Sequence, residues 1–177
     1  KGELLENRIV VWNIQESRDL FANGYFGKPI GIPKPNVNDI NVPLILDLIE
    51  GCYLQEISKI KITKNGKKVS LDTLIKICRK EYHNFDKKFQ VYKDFREKGY
   101  VINPGIKFGC DFAVYQKGPG IDHAPYLVQV YNKNDDISST AVVLAGRLAS
   151  SVKKQFILAI PRDKDKIDYL ALDWWRA

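Results

Sequence analysis

Tyr126-Leu-Val-Gln-Val-Tyr131, Ser138-Ser-Thr-Ala-Val-Val-Leu-Ala-Gly-Arg-Leu-Ala-Ser-Ser-Val152 and Phe156-Ile-Leu-Ala-Ile160 follow one another in the chain, and their order decides the fold class. The two outer runs are short, apolar and rich in β-branched and aromatic residues, as strands are. The middle run opens on Ser138-Ser139-Thr140, which offers a helix N-cap, and sets Ala141, Ala145 and Ala149 in a row small enough to lie close against a sheet. A helix flanked by strands on both sides predicts an α/β sandwich rather than a helical bundle.

Outward from this core, Tyr100 to Ile102, Ile106 to Phe108, Phe112 to Gln116 and Ile167 to Trp175 supply further strands, separated by Gly, Pro and Asn signals. The helix Phe85 to about Lys98 buries Phe85, Phe89, Tyr92 and Phe95. The N-terminal stretch has a different texture. Arg8-Ile-Val-Val-Trp12 is a strand, and Asn13 with Glu16 three residues on starts a helix to about Asn23. Residues 24–43 hold Gly24, Gly27, Gly31, Pro29, Pro33, Pro35 and Pro43, and so form a long loop. A second helix is expected from Asn41, with Pro43 in its first turn and Leu44, Leu48, Ile49 and Cys52 on one side. Ile57 to Ile62 alternates as a strand does, Asn65-Gly66 is a tight turn, and Ser70 caps a helix carrying Leu71, Leu74, Ile75 and Cys78. The expected fold is α/β (α+β), with a small mixed N-terminal domain over 1–82. A second domain over 83–177 packs a mixed sheet on helices.

Composition narrows the function classes. The chain has 177 residues, 45% of them hydrophobic, enough to bury a core without staples. It has no apolar run approaching the roughly 18 residues of a bilayer span and no signal-peptide layout, which predicts a cytoplasmic protein. The sequence has no methionine, so residues are expected to precede Lys1. Cys52, Cys78 and Cys110 lie far apart without a CxxC pair, and only His83 and His123 accompany them. That spacing argues against a zinc enzyme or a disulfide scaffold. Twenty-eight Lys and Arg against 21 Asp and Glu give a net charge of +7, which attracts polyanions such as RNA. A thermophile's lysine-rich surface accounts for the same surplus.

Without a metal cluster or cofactor motif, catalysis falls to protonic groups: Tyr115, His123 and a lysine of Lys153-Lys154. Each has an ordinary explanation. Tyr115 is a strand residue, His123 sits in the Gly/Pro-rich loop after Lys117-Gly-Pro-Gly120, and the lysines close a helix against its dipole.

Residues 92–130 weigh these together. Tyr92-Lys-Asp-Phe-Arg96, Gly99-Tyr100, Gly105-Ile-Lys-Phe-Gly109, Phe112-x-x-Tyr115, and His123 followed by Pro125-Tyr-Leu-Val128 occur in order. Downstream come Arg147-Leu-Ala-Ser-Ser-Val-Lys-Lys154 and Phe156-Ile-Leu-Ala-Ile160. This set resembles the tRNA-splicing endonuclease family, strongly over about 85–177 and in layout only over the first 80 residues, as in the N-terminal domain of archaeal members. The resemblance implies a catalytic triad of Tyr115, His123 and Lys154, with Lys153 as the alternative register. It further implies metal-free cleavage of precursor tRNA at bulge-helix-bulge junctions. The 2′-hydroxyl attacks in line and leaves 2′,3′-cyclic phosphate and 5′-hydroxyl ends. Tyr115 is the implied base, His123 the acid and Lys154 the cation. A phenol's ordinary pKa of about 10 makes a neighbouring lysine useful in favouring phenolate.

By the same resemblance Arg147 and Trp174 sandwich a bulged base for the partner subunit's site, a contact blind to base identity. Lys28 and Lys34 lie in a loop like the crenarchaeal insertion that approaches RNA. Asn132 to Asp136, with Asp135 and Asp136, matches a loop that docks subunits. The implied assembly is a heterotetramer with a non-catalytic paralogous subunit, a homo-oligomer being the alternative. Three other readings stay open: a non-catalytic RNA-binding subunit of the same enzyme, a plain RNA-binding module, and a metal-dependent DNA nuclease built on Asp111. The last lacks a lysine two residues after Gln129.

Overall fold

The computed structural model describes residues 1–33, 35–37, 40–121, 123–151, 153–162 and 166–172, which divide into two compact units, Lys1–Phe85 and Asp86–Ala177. None of the helices among the described residues is long and apolar enough to cross a membrane.

The N-terminal unit is built on a mixed sheet in the order β3-β4-β2-β1-β5-β6, with β1 Gly2–Leu5, β2 Arg8–Val11, β3 Lys28–Pro29, β4 Leu44–Leu46, β5 Ile62–Lys64 and β6 Lys67–Lys68. Its helices are α1 Ile14–Ala22, α2 Leu48–Glu56 and α3 Leu71–Glu81. Local signals fix the helix starts. The side chains of Asn13 and Ser70 accept the backbone N–H groups of Glu16 and Thr73, capping α1 and α3 as expected. Asn65 and Gly66 both take left-handed backbone, at φ 49° and 77°, and close the β5–β6 hairpin.

Two sequence expectations fail here. The helix expected from Asn41 begins seven residues later, and Leu44–Leu46 is instead a strand paired with β2. Asp47 is the reason: it caps α2 in a capping box in which the Glu50 carboxylate accepts the Asp47 N–H at 2.8 Å. The other Glu50 oxygen accepts the Gly27 N–H at 2.9 Å, so one buried carboxylate also anchors the 24–43 loop. The strand expected from Ile57 starts only at Ile62. Ile57 ends α2, Ser58 is left-handed at φ 57°, and the N–H groups of Lys59 and Ile60 both return to the Leu54 carbonyl. α2 lies directly on β2: a Cβ at Gly51 would come within 2.1 Å of the Ile9 side chain.

The C-terminal unit carries a five-stranded sheet in the order β11-β10-β9-β8-β7. Its strands are β7 Val101–Pro104, β8 Phe112–Tyr115, β9 Tyr126–Val130, β10 Gln155–Pro161 and β11 Ile167–Leu172. Only β9 and β10 are parallel, and α5 Ser139–Ser151 is the crossover between them. Ser138 Oγ accepts the Ala141 N–H, and Ala145 is buried, as the small-residue row requires. α4 Phe85–Glu97 contributes aromatic contacts on the opposite face, Tyr92 against Phe112 and Phe95 against Tyr169. Ile106–Phe108, expected as a strand, is a 3-10 turn ended by Gly109 at φ 67°. Gly105 permits it, because a Cβ there would meet the Cys110 sulfur at 2.5 Å and its carbonyl at 2.7 Å.

The register builds a cross-strand row beneath α5. Ala113 pairs with Leu127, Leu127 with Phe156, and Phe156 with Leu172, and all four belong to or pack on one apolar cluster with Ala145. Leu127 is fully buried at the centre of this row. Leu127→Ala is expected to cost about 2–5 kcal/mol, seen as a lower urea midpoint with an unchanged slope. A wild-type midpoint would show that the row does not carry the packing.

Candidate active site

The three residues singled out from the sequence lie toward one end of the C-terminal sheet: Tyr115 closes β8, His123 lies three residues before β9, and Lys154 immediately precedes β10. Side chains alternate along a strand, so Tyr115 shares the α5 face with Ala113. The last β8–β9 pair is Val114 with Tyr126, and Tyr126 pairs onward with Gln155. Beyond this pairing the Gln155 N–H donates to the Pro125 carbonyl at 2.8 Å, Tyr115 closes β8 opposite Val101 of β7, and Lys154 immediately precedes β10. His123, exposed, stands two residues before Pro125 at the end of the Gly118–Gly120 loop, whose glycines take φ 136° and 89°.

The two neighbouring lysines differ in their surroundings. Lys153 is exposed and left-handed at φ 53°, turning the chain out of α5. Lys154 is half-buried, donates from Nζ to the Ala124 carbonyl, and lies 5.6 Å from the centre of the Phe108 ring. The carbonyl just after His123 and a ring of the 3-10 turn therefore hold this ammonium. Neither anchor was singled out from the sequence, although Phe108 lies within the quoted Gly105-Ile-Lys-Phe-Gly109 segment. Tyr115 packs on the same apolar cluster as Phe108 and Ala124.

The remaining expectations are more scattered. Arg147 is exposed on α5 and Lys28 is exposed on the edge strand β3 of the N-terminal unit. Trp174 and Lys34 lie outside the described residues. Asp135 accepts the Asn132 N–H at 2.8 Å and its side-chain amide at 3.1 Å, closing its own loop, and Asp136 is exposed beside it. Asp111, the carboxylate considered for a magnesium site, is engaged otherwise. It pairs with Lys88 of α4 at 2.7 Å and accepts the Gln129 amide at 2.9 Å and the Val130 N–H at 2.8 Å. Among the described residues no three His, Cys, Asp or Glu side chains gather as a metal ion would require.

Comparison with known proteins fits this arrangement. Residues 85–169 match the family model of the tRNA intron endonuclease catalytic C-terminal domain, and residues 1–75 match that of its N-terminal domain. The chain belongs to the tRNA intron endonuclease family. It is 45% identical to the tRNA-splicing endonuclease of Sulfurisphaera tokodaii over 98% of this chain and 97% of that protein. The tRNA-splicing endonuclease of Hyperthermus butylicus is 43% identical and that of Saccharolobus islandicus 38%, with the same coverage. The C-terminal unit is thus the catalytic domain of an endonuclease, and Tyr115, His123 and Lys154 lie within the matched residues.

In this tRNA intron endonuclease Asp111 and Lys88 are mostly shielded from solvent, at 11% and 20% exposure. Removing one member strands the other. Asp111→Ala is expected to destabilise the chain by about 3–5 kcal/mol. Chemical denaturation measures the loss, and a change within about 0.5 kcal/mol would deny the pair a structural role.

Proposed function

We propose that this chain is the catalytic subunit that excises introns from precursor tRNA in the cytoplasm, cutting bulge-helix-bulge junctions without a metal ion. The reading is supported by the placement of Tyr115 at the end of β8 and of His123 and Lys154 just ahead of β9 and β10, three strands that pair side by side. Family membership supports the substrate, and the positive charge supports a polyanion.

In this reading the 2′-hydroxyl oxygen attacks the adjacent phosphorus and gives its proton to Tyr115. His123 protonates the departing 5′-oxygen, leaving a cyclic phosphate and a 5′-hydroxyl. Lys154, fixed by Ala124 and Phe108, supplies positive charge to the equatorial oxygens as negative charge builds. It also favours the phenolate of Tyr115 through proximity. The exposed position of His123 suits an acid that must reach a leaving group on a bulky substrate.

Arg147 and Trp174 form the base sandwich for a neighbouring subunit's site, and Lys28 and Lys34 approach the RNA from the 24–43 loop. Because an intron has two junctions, two active sites must be held at a fixed separation. A heterotetramer with a non-catalytic paralogous subunit meets that need, and a homo-oligomer is the alternative assembly.

Single-turnover cleavage of an intron-containing precursor tRNA tests the roles. His123→Ala is expected to lower the rate about 10²–10⁴-fold, and Tyr115→Phe similarly, with RNA binding nearly unchanged. An unaltered rate in His123→Ala would remove it from the acid role. Arg147→Ala in one subunit of a mixed assembly should abolish cutting at one junction. Equal cutting at both would overturn the sandwich.

A further inference from the structure

α3 is thinly anchored: of its eleven residues only Leu74 and Cys78 are buried. Cys78, in its last turns, faces Cys52 in the middle of α2, and the two sulfurs are 3.3 Å apart. Both cysteines are fully buried, and their separation of 26 residues hid the pair in the sequence. A disulfide needs about 2.03–2.05 Å between sulfurs, so closure asks each sulfur to move by roughly 0.6 Å. Two helices packed side by side accommodate a shift of that size by small side-chain rotations.

The backbone around the pair is itself fixed. Cys52 follows Gly51, the residue whose missing side chain lets α2 rest on Ile9, and the Cys78 carbonyl accepts the Tyr82 N–H at the end of α3. Tyr82 in turn donates its hydroxyl to Asp47, the cap of α2. The start of α2 and the end of α3 are therefore already held together by a polar contact. The sulfur pair lies between them.

We propose that Cys52 and Cys78 form an intramolecular disulfide that staples α2 to α3, closed by a small disulfide oxidant as the N-terminal unit folds. With oxidised glutathione as the oxidant, the thiolate of one cysteine attacks a glutathione sulfur and expels one glutathione, forming a mixed disulfide. The second protein thiolate then attacks the protein sulfur of that bond and expels the other glutathione. Two protein thiols are oxidised, one glutathione disulfide is reduced, and the two protons end on the two glutathione thiols.

Burial sets the timing. Exchange requires a thiolate and access for the reagent, and in the folded unit both sulfurs are fully buried, closed to a reagent of glutathione's size. The Cys52 thiol is pushed far above its ordinary range, first by its contact with Cys78 and then by burial. The bond must therefore close while the chain is still opening and folding, and afterwards the same burial protects it from reduction. Its effect on stability follows from the enclosed loop of 26 residues, which contains the β5–β6 hairpin and most of α3. Constraining a loop of that length narrows the unfolded ensemble. Cys110, in the other unit, serves as an internal control. It is buried, with its thiol pushed up to about 11 chiefly by that burial, and its sulfur faces the carbonyls of Gly105 and Phe112.

The test refolds the denatured full-length chain in a buffer of oxidised and reduced glutathione, quenches in acid, unfolds in guanidinium and alkylates with iodoacetamide before mass analysis. One alkylated cysteine, Cys110, is expected, rising to three after reduction, with a linked peptide joining Cys52 to Cys78. Three alkylated cysteines without reduction, a glutathione adduct at Cys52 or Cys78, or a linkage through Cys110 would overturn the proposal. On the oxidised protein, a reductant able to enter on heating is expected to lower Tm by roughly 10 °C or more. The Cys52→Ala, Cys78→Ala double variant should show no response to reductant. An unchanged Tm in the wild type would show that the bond does not staple the unit.

Discussion

The parallel pairing of β9 with β10 is the constraint on which the catalytic unit depends. Parallel neighbours cannot be joined by a hairpin, so the chain must leave the sheet, cross one face and return, and α5 is that crossing. The row of Ala113, Leu127, Phe156 and Leu172 gives the helix an apolar floor, and Ala145 provides the close fit. Where the crossing re-enters the sheet, the left-handed turn at Lys153 brings the chain to Lys154 just ahead of β10, at the end of the sheet where Tyr115 closes β8. The candidate site thus takes its place from the core, at the ends of the same strands.

The opposite face of that sheet is fixed by polar as well as aromatic contacts. Lys88 and Asp94 of α4 reach Asp111 and Tyr169 respectively, at 2.7 Å and 2.5 Å. Burial and the neighbouring Asp94 carboxylate push the Tyr169 phenol well above its ordinary range, so it stays a donor to that carboxylate. These contacts tie α4 to both an inner and an outer part of the sheet. A sheet so clamped holds the strand ends still, which is what a site made of three separate segments requires.

Much of this was legible in the sequence because the signals were local. Asn13, Ser70 and Asn65-Gly66 act within a few residues of themselves, and each does in the structure what its chemistry implies. The strand–helix–strand order over 126–160 pointed to the α/β class for the same reason. Leu44–Leu46 was harder: three apolar residues serve a helix as well as a strand, and the decision rests on pairing with β2 and on a capping box that begins after them. Ile106 to Phe108 carries strand-like residues, yet Gly105 and Gly109 impose a 3-10 turn. For the site, residue types pointed to Tyr115, His123 and a lysine of Lys153-Lys154, and the resemblance implied Lys154, with Lys153 as the alternative, and the three roles. The Ala124 carbonyl and the Phe108 ring that hold Lys154 were not singled out, because a backbone carbonyl carries no sequence signature and a lone phenylalanine is ordinarily read as core. The Cys52–Cys78 contact joins two helices across 26 residues, a distance over which spacing carries no information.

In the proposed mechanism, protonic side chains at the end of the C-terminal sheet cut RNA without a metal ion. The most direct measurement is cleavage of an intron-containing precursor tRNA in excess EDTA, with the paralogous subunit supplied, followed by chemical analysis of the new ends. The account predicts undiminished cleavage with 2′,3′-cyclic phosphate on one fragment and 5′-hydroxyl on the next. Cleavage that disappears in EDTA and returns with magnesium, or products bearing 5′-phosphate, would contradict it.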